Sequence, residues 1–398
     1  MTDLATQNKI KVIHILPSPK LGGVQNNLLL KSKYDKQYKI HRKIIYTVSN
    51  EGELLDRGNQ LFEQSIYCPI ILPDKRFRPY RFFKIYRKWM SLFFIFRLVK
   101  VLKKDDSQIV HSEDSLKLLS QVLAAWMAGK TFIWQLHTSE KIISNGLMTQ
   151  LFYFFIRNNI ITLIADSKTA LMKNIFNKEI LNKAHIIPPS VELSYYSIEN
   201  YNRKIVRNKF GFSENDIIFG STGRLHWAKG YELLINSVNQ IISHQDIKLK
   251  LVIAGEGPLR TKLSELIEEY KMQSHIKLLG SVHKIGQFLQ MLDFYVQPSI
   301  SEAFGMAVVE AMAARIPIIC SDAGGLPELI QEGKTGIIVK NNNVGALANG
   351  IVKLLNTDEN ELKKMTEKAY KVACCYSTEA AVKKDLIVYK SLVKQTVN

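Results

Sequence analysis

Short apolar runs rich in β-branched residues alternate with longer stretches of helical spacing along the whole chain. The strand candidates in the first half are 12–16, 43–48, 109–112, 132–137 and 161–167, with helical patterns at 115–128 and 147–158. The second half repeats the scheme, with strand candidates at 217–223, 250–255, 276–280, 294–299, 317–322 and 336–339 and helical patterns at 230–243, 259–271 and 306–314. Strands that alternate with helices predict an α/β protein with parallel, doubly wound sheets.

About eleven strands are more than one compact sheet commonly holds, so the pattern predicts two Rossmann-like domains. The break falls at Pro188-Pro189, after the strand-like run 184–187, because a diproline cannot continue a strand ladder and stiffens the chain. We therefore place an N-terminal domain at 1–188, a C-terminal domain at 192–375 and a final helix at 376–398 that packs back across the domains. Two such sheets would face a cleft, and ligands of open parallel sheets bind beyond the carboxyl ends of the strands.

Two strand ends of the N-terminal domain carry candidate binding residues. Gly22 and Gly23 follow the first strand, and paired glycines let backbone amides approach an anion, although a plain strand-to-helix turn explains them equally well. His137 ends the strand 132–137, where an imidazole can donate to a substrate hydroxyl. A histidine satisfied within the fold is the commoner alternative for a single position.

The segment 223–230 of the C-terminal domain joins a strand to a helix and contains two cations. Its glycines at both ends form a turn that would bring Arg224 and Lys229 towards one anion. Arginine offers a planar fork to phosphate oxygens and lysine offers a point charge. Two solvated surface charges are the alternative, and the turn favours a diphosphate site.

The strongest local signal is the segment 298–313, in which a strand ends, a loop turns at Gly305 and a helix begins. The first free amides of that helix favour negative charge. Glu302 on the loop can bind sugar hydroxyls, and Glu310 in the helix can bind a ribose diol. Two acids eight positions apart are common by chance, so the interpretation depends on the surrounding PSxxEAFGxxxxEAMA pattern.

Together these segments resemble the retaining glycosyltransferases of family 4, which have the GT-B fold. The resemblance covers nearly the whole chain and follows the family's order: the Gly22-Gly23 loop, His137, GRLHWAKG, GEGP, EAFGMAVVE and SDAGGLPELIQEGKTGIIV. The combination of the two acids with the downstream GG-x-PE pattern is highly specific.

The resemblance implies a role for each candidate. The residues that would hold the donor or take part in transfer are Gly22, Gly23, His137, Arg224, Lys229, Glu302, Phe304, Gly305, Met306 and Glu310. Arg224 and Lys229 would hold the diphosphate of a UDP- or GDP-sugar, and Glu310 would bind its ribose. Glu302, helped by backbone amides at 304–306, would contact the transferred sugar, and His137 would face that sugar from the other domain.

The implied reaction needs no cofactor and no metal. Cleavage of a glycosyl–phosphate bond develops negative charge on the leaving diphosphate, which fixed cations and a helix N-terminus stabilise. No DxD motif occurs among the candidate segments. The family retains the anomeric configuration by a front-face route. Thr138 after the histidine and the bulky Trp227 depart from the common pattern and leave the donor open.

The positive charge of the chain indicates an anionic partner. The formal net charge of the 398 residues is +18, and residues 1–190 hold 29 basic and 14 acidic side chains, a net of +15. Within 75–104 there are eleven basic residues, no acid and nine aromatics. This composition is typical of a segment that binds an anionic membrane surface, although the part at about 91–103 is better explained as an ordinary helix of the first domain, with its apolar stripe on the sheet and its cations in water. No nucleic-acid-binding module is recognisable, so nucleic acid ranks low as the polyanion.

Composition limits the cellular compartments and the functions that we expect for the protein. Four cysteines form no disulfide framework, no apolar run approaches about 18 residues, and the N-terminus is polar. We therefore expect a cytoplasmic protein at the inner face of the plasma membrane. It would move a hexose-type sugar to a membrane-associated saccharide or lipid in bacterial surface glycan or glycolipid synthesis. The alternatives are another GT-B enzyme, such as a sugar-nucleotide epimerase or a phosphorylase, and a non-catalytic membrane scaffold of transferase ancestry.

Overall fold

A computed structural model describes most of the chain. The described residues are 9–17, 23–47, 62, 64–68, 80–113, 117–137, 147–175, 177–197, 201–244 and 248–395, with the backbone alone at 64, 80–90, 147–148 and 395. They fall into two compact units, one formed by 1–189 with 378–398 and the other by 190–377. We name them unit 1 and unit 2.

Unit 1 contains a parallel sheet of seven strands in the order β3-β2-β1-β4-β5-β6-β7. The strands are β1 (Ile10–Leu16), β2 (Ile40–Tyr46), β3 (Gln64–Tyr67), β4 (Ile109–Ser112), β5 (Thr131–Leu136), β6 (Ile161–Ala165) and β7 (His185–Ile186). Its helices are α1 (Gly23–Ser32), α2 (Asp35–Tyr38), α3 (Tyr80–Lys104), α4 (Leu118–Met127), α5 (Leu147–Arg157), α6 (Lys168–Asn174), α7 (Lys178–Lys183) and, at the end of the chain, α16 (Thr378–Gln395).

Unit 2 contains a parallel sheet of six strands in the order β10-β9-β8-β11-β12-β13. The strands are β8 (Ile217–Thr222), β9 (Leu249–Ala254), β10 (Ile276–Gly280), β11 (Phe294–Gln297), β12 (Ile318–Ser321) and β13 (Ile337–Val339). The helices are α8 (Arg203–Lys209), α9 (Tyr231–His244), α10 (Arg260–Glu269), α11 (Ile285–Gln290), α12 (Met306–Ala313), α13 (Leu326–Leu329), α14 (Val344–Leu355) and α15 (Glu359–Cys374), with 3₁₀ turns at Leu193–Tyr196 and Trp227–Lys229.

Both sheets are covered on two faces, because alternate residues of each strand point to opposite sides. In unit 1, Ile13 and Trp134 pack in one core with α3, α4 and α5, whereas Val12 and Ile133 pack in another with α16. In unit 2, Ile218 and Tyr295 pack with α12 and α15, and the opposite face packs with α9 and α14.

The predicted fold class is confirmed as two parallel, doubly wound sheets with interleaved helices. All eleven predicted strands are present within a few residues of their predicted bounds. The sequence analysis missed β3, a short strand at one edge of the first sheet, whereas β7, at the other edge, lies within the strand-like run 184–187. The strand order reverses between β1 and β4 in unit 1 and between β8 and β11 in unit 2, and ligands of this fold bind at such switch points.

Candidate active site

In unit 2, the predicted segment 223–230 joins β8 to α9 beside the switch point. Gly223 continues the β8 ladder, its amide donating to the carbonyl of Ala254 at 3.0 Å. The loop after β9 contacts the segment 223–230, because the Leu225 amide donates to the Glu256 carbonyl at 2.9 Å. A Cβ on Gly257 would lie 2.4 Å from the carbonyl oxygen of Leu225, so the GEGP segment serves as packing for this loop.

Gly230 ties this loop to the one that follows β11. It has a left-handed backbone (φ 69°), and a Cβ there would lie 2.1 Å from the carbonyl oxygen of Pro298. The contact is reinforced because the amides of Ile300 and Ser301 both donate to the carbonyl of Ala228, at 2.8 and 3.1 Å. The two predicted site segments are therefore one structure.

Lys229 and Glu302 form an ion pair where the two loops meet. The Lys229 Nζ lies 2.7 Å from Glu302 Oε2, and the two side chains are 24% and 12% exposed. The same carboxylate oxygen accepts from the Ser299 hydroxyl at 3.0 Å, which in turn accepts from the Gln297 amide at 2.8 Å. Glu302 is therefore held from β11 as well as by the lysine, which fixes the carboxylate before any ligand arrives.

A second glycine pair supports the Glu302 loop. Gly324 has a left-handed backbone (φ 57°), and a Cβ there would lie 1.7 Å from the carbonyl oxygen of Glu302. The Gly325 amide donates to that same carbonyl at 3.2 Å. The downstream GG-x-PE pattern thus acts on the site by close backbone packing.

The helix α12 begins directly after this loop. Gly305 is its N-cap, with a left-handed backbone (φ 109°) and no side-chain cap for the first turn. Phe304 is buried, with its ring 5.3 Å from that of Tyr376, so its side chain belongs to the core. Met306 is half-buried against the same core. Only the backbone of 304–306 is therefore suited to meet a ligand.

Glu310 lies in the second turn of α12. Burial raises the pKa of its carboxyl to about 7, against the opposing effects of a hydrogen bond from Tyr196 and the charge of Lys229. Tyr196 comes from the 3₁₀ turn at the start of unit 2 and is itself buried. Sequence reasoning missed Tyr196, since nothing in the local pattern connects it to a helix more than a hundred residues away.

Arg224 and Trp227 are exposed residues of the same loop. Arg224 is exposed, and Trp227 is 53% exposed, with its ring centroid 5.6 Å from that of His226. Arg224 follows Gly223, whose Cβ position is 3.4 Å from Lys229 Cε. The structure therefore brings Lys229, Glu302, Glu310 and the start of α12 together. Arg224 lies on the same loop as Lys229.

In unit 1, the structure describes Gly23 and His137 among the predicted site residues. Gly22 and Thr138 lie outside the described residues. Gly23 is the first residue of α1, and a Cβ built on it meets no atom within 4 Å. His137 follows β5 at the carboxyl edge of the sheet, and its side chain is 20% exposed.

Both ring nitrogens of His137 face carboxylates. Its Nε2 lies 2.7 Å from Glu113 Oε2, and its Nδ1 lies 3.0 Å from Asp166 Oδ2. Burial lowers the pKa of His137, but the two carboxylates outweigh it and raise the pKa to about 10. Sequence reasoning missed Glu113 and Asp166, although Glu113 directly follows the predicted strand 109–112 and Asp166 lies near the end of the predicted strand 161–167, where the same strand-end rule could have found them.

Glu113 also belongs to a group of three side chains with metal-ligand spacing. Donor atoms of His14, His111 and Glu113 lie within 4.8 Å of one another. The His14 ring, however, is hydrogen-bonded on both sides, with Nδ1 3.0 Å from Glu113 Oε1 and Nε2 3.0 Å from an Arg42 nitrogen. A guanidinium at this distance repels a cation, so the group is better described as part of a hydrogen-bond network.

Solved structures that are similar to this chain cover both of its units. The chain is similar to a glycosyltransferase from Rickettsia africae, with a TM-score of 0.81 and 22% identity over 98% of this chain and 100% of that one. It is also similar to Anabaena HepE in complex with UDP and glucose, with a TM-score of 0.75 and 17% identity over 96% and 100%. The fold is therefore of the GT-B type.

Sequence comparison points to the same class. The chain is 32% identical over 231 residues to an uncharacterized glycosyltransferase of Methanocaldococcus jannaschii, which covers 57% of this chain. The chain spans about three fifths (59%) of the length of that relative. Residues 202–372, which include every site residue of unit 2 that the sequence analysis predicted, match the family described as glycosyl transferases group 1.

Proposed function

We propose that the protein is a retaining glycosyltransferase that uses a nucleotide-diphosphate sugar. The observation that carries this proposal is the ion pair between Lys229 and Glu302 at the switch point of unit 2, next to the uncapped start of α12. An ammonium has three donors, and Glu302 takes one of them. The others, with the Arg224 fork and the free amides of α12, suit the paired phosphates of a donor.

The neighbouring acids suit the sugars on either side of the diphosphate. Glu302 is held by Lys229 and Ser299, and its carboxylate would accept from hydroxyls of the transferred hexose. Glu310 would accept from the ribose diol. As the bond to phosphate breaks, the cations stabilise the charge that develops on the leaving group, which makes a divalent metal unnecessary in this proposal. The acceptor hydroxyl would pass its proton to the leaving phosphate on the same face.

The donor is proposed as a UDP- or GDP-sugar. The complex of HepE with UDP and glucose supports the first of these, since that protein shares the fold. We would mix the full chain with a panel of UDP-, GDP- and ADP-sugars and measure thermal stabilisation and nucleotide release. Stabilisation by none of them would overturn the proposal, and interconversion of a UDP-sugar without acceptor would favour an epimerase. Unchanged turnover in the presence of excess EDTA is expected.

The acceptor is proposed as a lipid or lipid-linked saccharide at the cytoplasmic face of a bacterial plasma membrane. In the described part of α3, Phe94 and Leu98 are buried, whereas Phe93 and Phe96 are 56% and 63% exposed. Arg97, Lys100, Lys103 and Lys104 are exposed on the same helix. Residues 75–79 lie outside the described part. Exposed aromatics beside cations suit an anionic bilayer surface. No helix in the described residues is long and apolar enough to span a membrane.

Substitution at the ion pair tests the site itself. Lys229→Gln leaves a neutral polar side chain that is one atom shorter and removes one charge-assisted hydrogen bond to phosphate, which typically contributes about 1.5–3 kcal/mol. We expect the Kd for UDP to rise about 10- to 150-fold. Lys262→Gln is the matched control, because Lys262 pairs with Glu232 at 2.7 Å on the surface of the same unit. Equal UDP affinity in the two variants would refute the role of Lys229.

A further inference from the structure

The sheet of unit 1 holds a buried hydrogen-bond network in which the donor or acceptor role of each imidazole nitrogen can be assigned. The network starts at Arg42, which is 2% exposed and, as a guanidinium, can only donate. One Arg42 nitrogen lies 3.0 Å from His14 Nε2 and 3.4 Å from the Tyr389 hydroxyl. Both of these atoms must therefore accept.

The first branch runs from His14 to Glu113. Because His14 Nε2 accepts from Arg42, its proton is on Nδ1, which lies 3.0 Å from Glu113 Oε1 and donates to it. Glu113 Oε2 is then left to face His137 Nε2 at 2.7 Å. Burial raises the pKa of Glu113, but the neighbouring histidines outweigh it and hold that pKa well below its usual range. Glu113 is therefore a carboxylate that only accepts, and His137 Nε2 must donate.

The second branch reaches His137 from the opposite side. The Tyr389 hydroxyl lies 2.9 Å from His111 Nδ1 and donates to it, so the His111 proton is on Nε2, 3.3 Å from Gln135 Oε1. The Gln135 amide nitrogen therefore donates to Asp166 Oδ1 at 2.8 Å. Asp166 Oδ2 is left to face His137 Nδ1 at 3.0 Å.

The two branches meet at one imidazole that must donate on both sides. We propose that Glu113 and Asp166 are positioning residues that hold His137 as a fixed imidazolium, a stationary positive charge that takes no part in proton transfer. This inference rests on the proposed function, which gives His137 its importance for transfer. It goes beyond that function by assigning the hydrogen-bond partners and the protonation state of His137. The pKa values agree, since the histidines around Glu113 hold the pKa of that carboxyl well below its usual range even though burial would raise it.

The two carboxylates that face His137 come from neighbouring strand ends. Glu113 follows β4 and Asp166 follows β6, and after burial they are the largest influences on the pKa of His137. Next beyond them lie His14 and His111, whose pKa values are both lowered, chiefly by burial, to about 3 in the case of His111. The histidines behind Glu113 are therefore neutral at working pH.

Glu113→Gln is the sharpest perturbation because an amide cannot replace the carboxylate. Its two neighbours, His14 Nδ1 and His137 Nε2, both donate, whereas an amide offers only one oxygen. Loss of one neighbouring carboxylate lowers the pKa of a histidine by about 1–3 units, so the midpoint for His137 should fall from about 10 to about 7–9. Glu179→Gln is the control, since Glu179 pairs with Arg157 at 2.8 Å on the surface of unit 1.

The measurement is a pH titration of the ring nitrogens in the full chain by nitrogen-15 NMR, with His137→Asn to assign the signal. We expect His137 to stay doubly protonated from pH 6 to 9 in the natural protein and in Glu179→Gln, and to titrate in that range in Glu113→Gln. In the natural protein, kcat/KM for nucleotide release should show no His137 titration. In Glu113→Gln it should fall about tenfold between pH 6 and 9 as the imidazolium is lost.

Two results would overturn the inference. One is a neutral His137 in the natural protein below pH 9, which needs no variant to observe. The other is a Glu113→Gln profile that matches the natural one in both NMR and rate. His137→Arg keeps a permanent cation and a two-sided donor, so it should retain more activity than His137→Asn. Because the NMR titration does not depend on transfer, a fixed imidazolium in a protein that binds no donor would refute the proposed function alone.

Discussion

Gly230→Ala tests whether the contact between two loops builds the donor site. An alanine Cβ would lie 2.1 Å from the carbonyl oxygen of Pro298, and both atoms are attached to backbone. Rotation of a side chain cannot relieve the overlap, so the loop after β8 and the loop after β11 must move apart. Those loops carry Lys229 and Glu302, whose 2.7 Å contact should therefore lengthen.

The size of the effect has two parts, and the chain offers a control for one of them. Gly333 has the same left-handed φ of 69°, but a Cβ there meets no atom within 4 Å. Gly333→Ala should therefore show the backbone cost alone, about 1–2 kcal/mol in the free energy of unfolding. The overlap at Gly230 adds a packing cost of about 1–3 kcal/mol, so Gly230→Ala should lose about 2–5 kcal/mol.

The assay is urea unfolding of both variants, followed by titration of the folded proteins with UDP. We expect Gly333→Ala to bind UDP as the natural protein does and Gly230→Ala to bind it at least about tenfold more weakly, since one misplaced charged contact costs 1.4 kcal/mol or more. Equal unfolding free energies for the two variants would show that the Pro298 contact is easily relieved. Normal UDP affinity in Gly230→Ala would show that the donor site does not depend on it.

Three further predictions concern other parts of the molecule. Glu310→Gln should flatten the fall in stability between about pH 4.5 and 7, because the raised pKa of Glu310 gives stability that is full at low pH and is lost as pH rises through about 7. Replacing Phe93 and Phe96 together by serine should weaken binding to vesicles that contain anionic lipid, measured by sedimentation, without changing the Kd for UDP. Asp385→Ala should lower the free energy of unfolding by about 3 kcal/mol or more, because it leaves the buried Lys31 ammonium, 3.0 Å away, without its counter-ion.

Each of these predictions has a matched control in the same unit. Glu361→Gln changes an exposed acid and should leave the pH dependence intact. Met172→Ser removes an apolar side chain that is 62% exposed on α6 and should leave vesicle binding unchanged. Lys383→Ala breaks a surface pair with Glu379 and should cost about 1 kcal/mol or less. A variant that behaves like its control would contradict the corresponding prediction.

The fold could be predicted from the sequence because most strands carry their own local signal. Buried parallel strands are continuous apolar runs, and eleven of the thirteen strands stand out in this way. The exceptions are β3, whose sequence QSIY begins with two polar residues and forms no apolar run, and β7, whose two residues lie in the strand-like run 184–187 before the diproline. Helix α14 was also missed, although it begins at a cap where the Asn343 side chain accepts from the Ala346 amide at 2.8 Å.

The site could be predicted only as separate pieces. Lys229 and Glu302 are 73 residues apart in sequence, and their contact depends on β8 lying next to β11, which no local pattern states. The network in unit 1 was harder still, because His14 and His111 each interrupt an apolar strand and look like isolated exceptions. They are direct partners in the register of β1 and β4, with ring centroids 4.8 Å apart, and that relation exists only after the strands pair.

The distribution of charge in unit 1 bears on which polyanion its basic residues serve. The charged groups in and around the buried network are the carboxyl groups of Asp35, Glu113, Asp166 and Asp385 and the cations of Lys31, Arg42 and His137. Within residues 1–190, and with histidine counted as neutral, Lys31 and Arg42 against Asp35, Glu113 and Asp166 give a net of −1. The described groups of the network therefore supply none of the net +15 of that range. On the described part of α3, four exposed cations stand beside two exposed aromatic rings. Exposed cations beside exposed aromatic rings on an outer helix suit the extended anionic surface that is proposed as the partner of this helix.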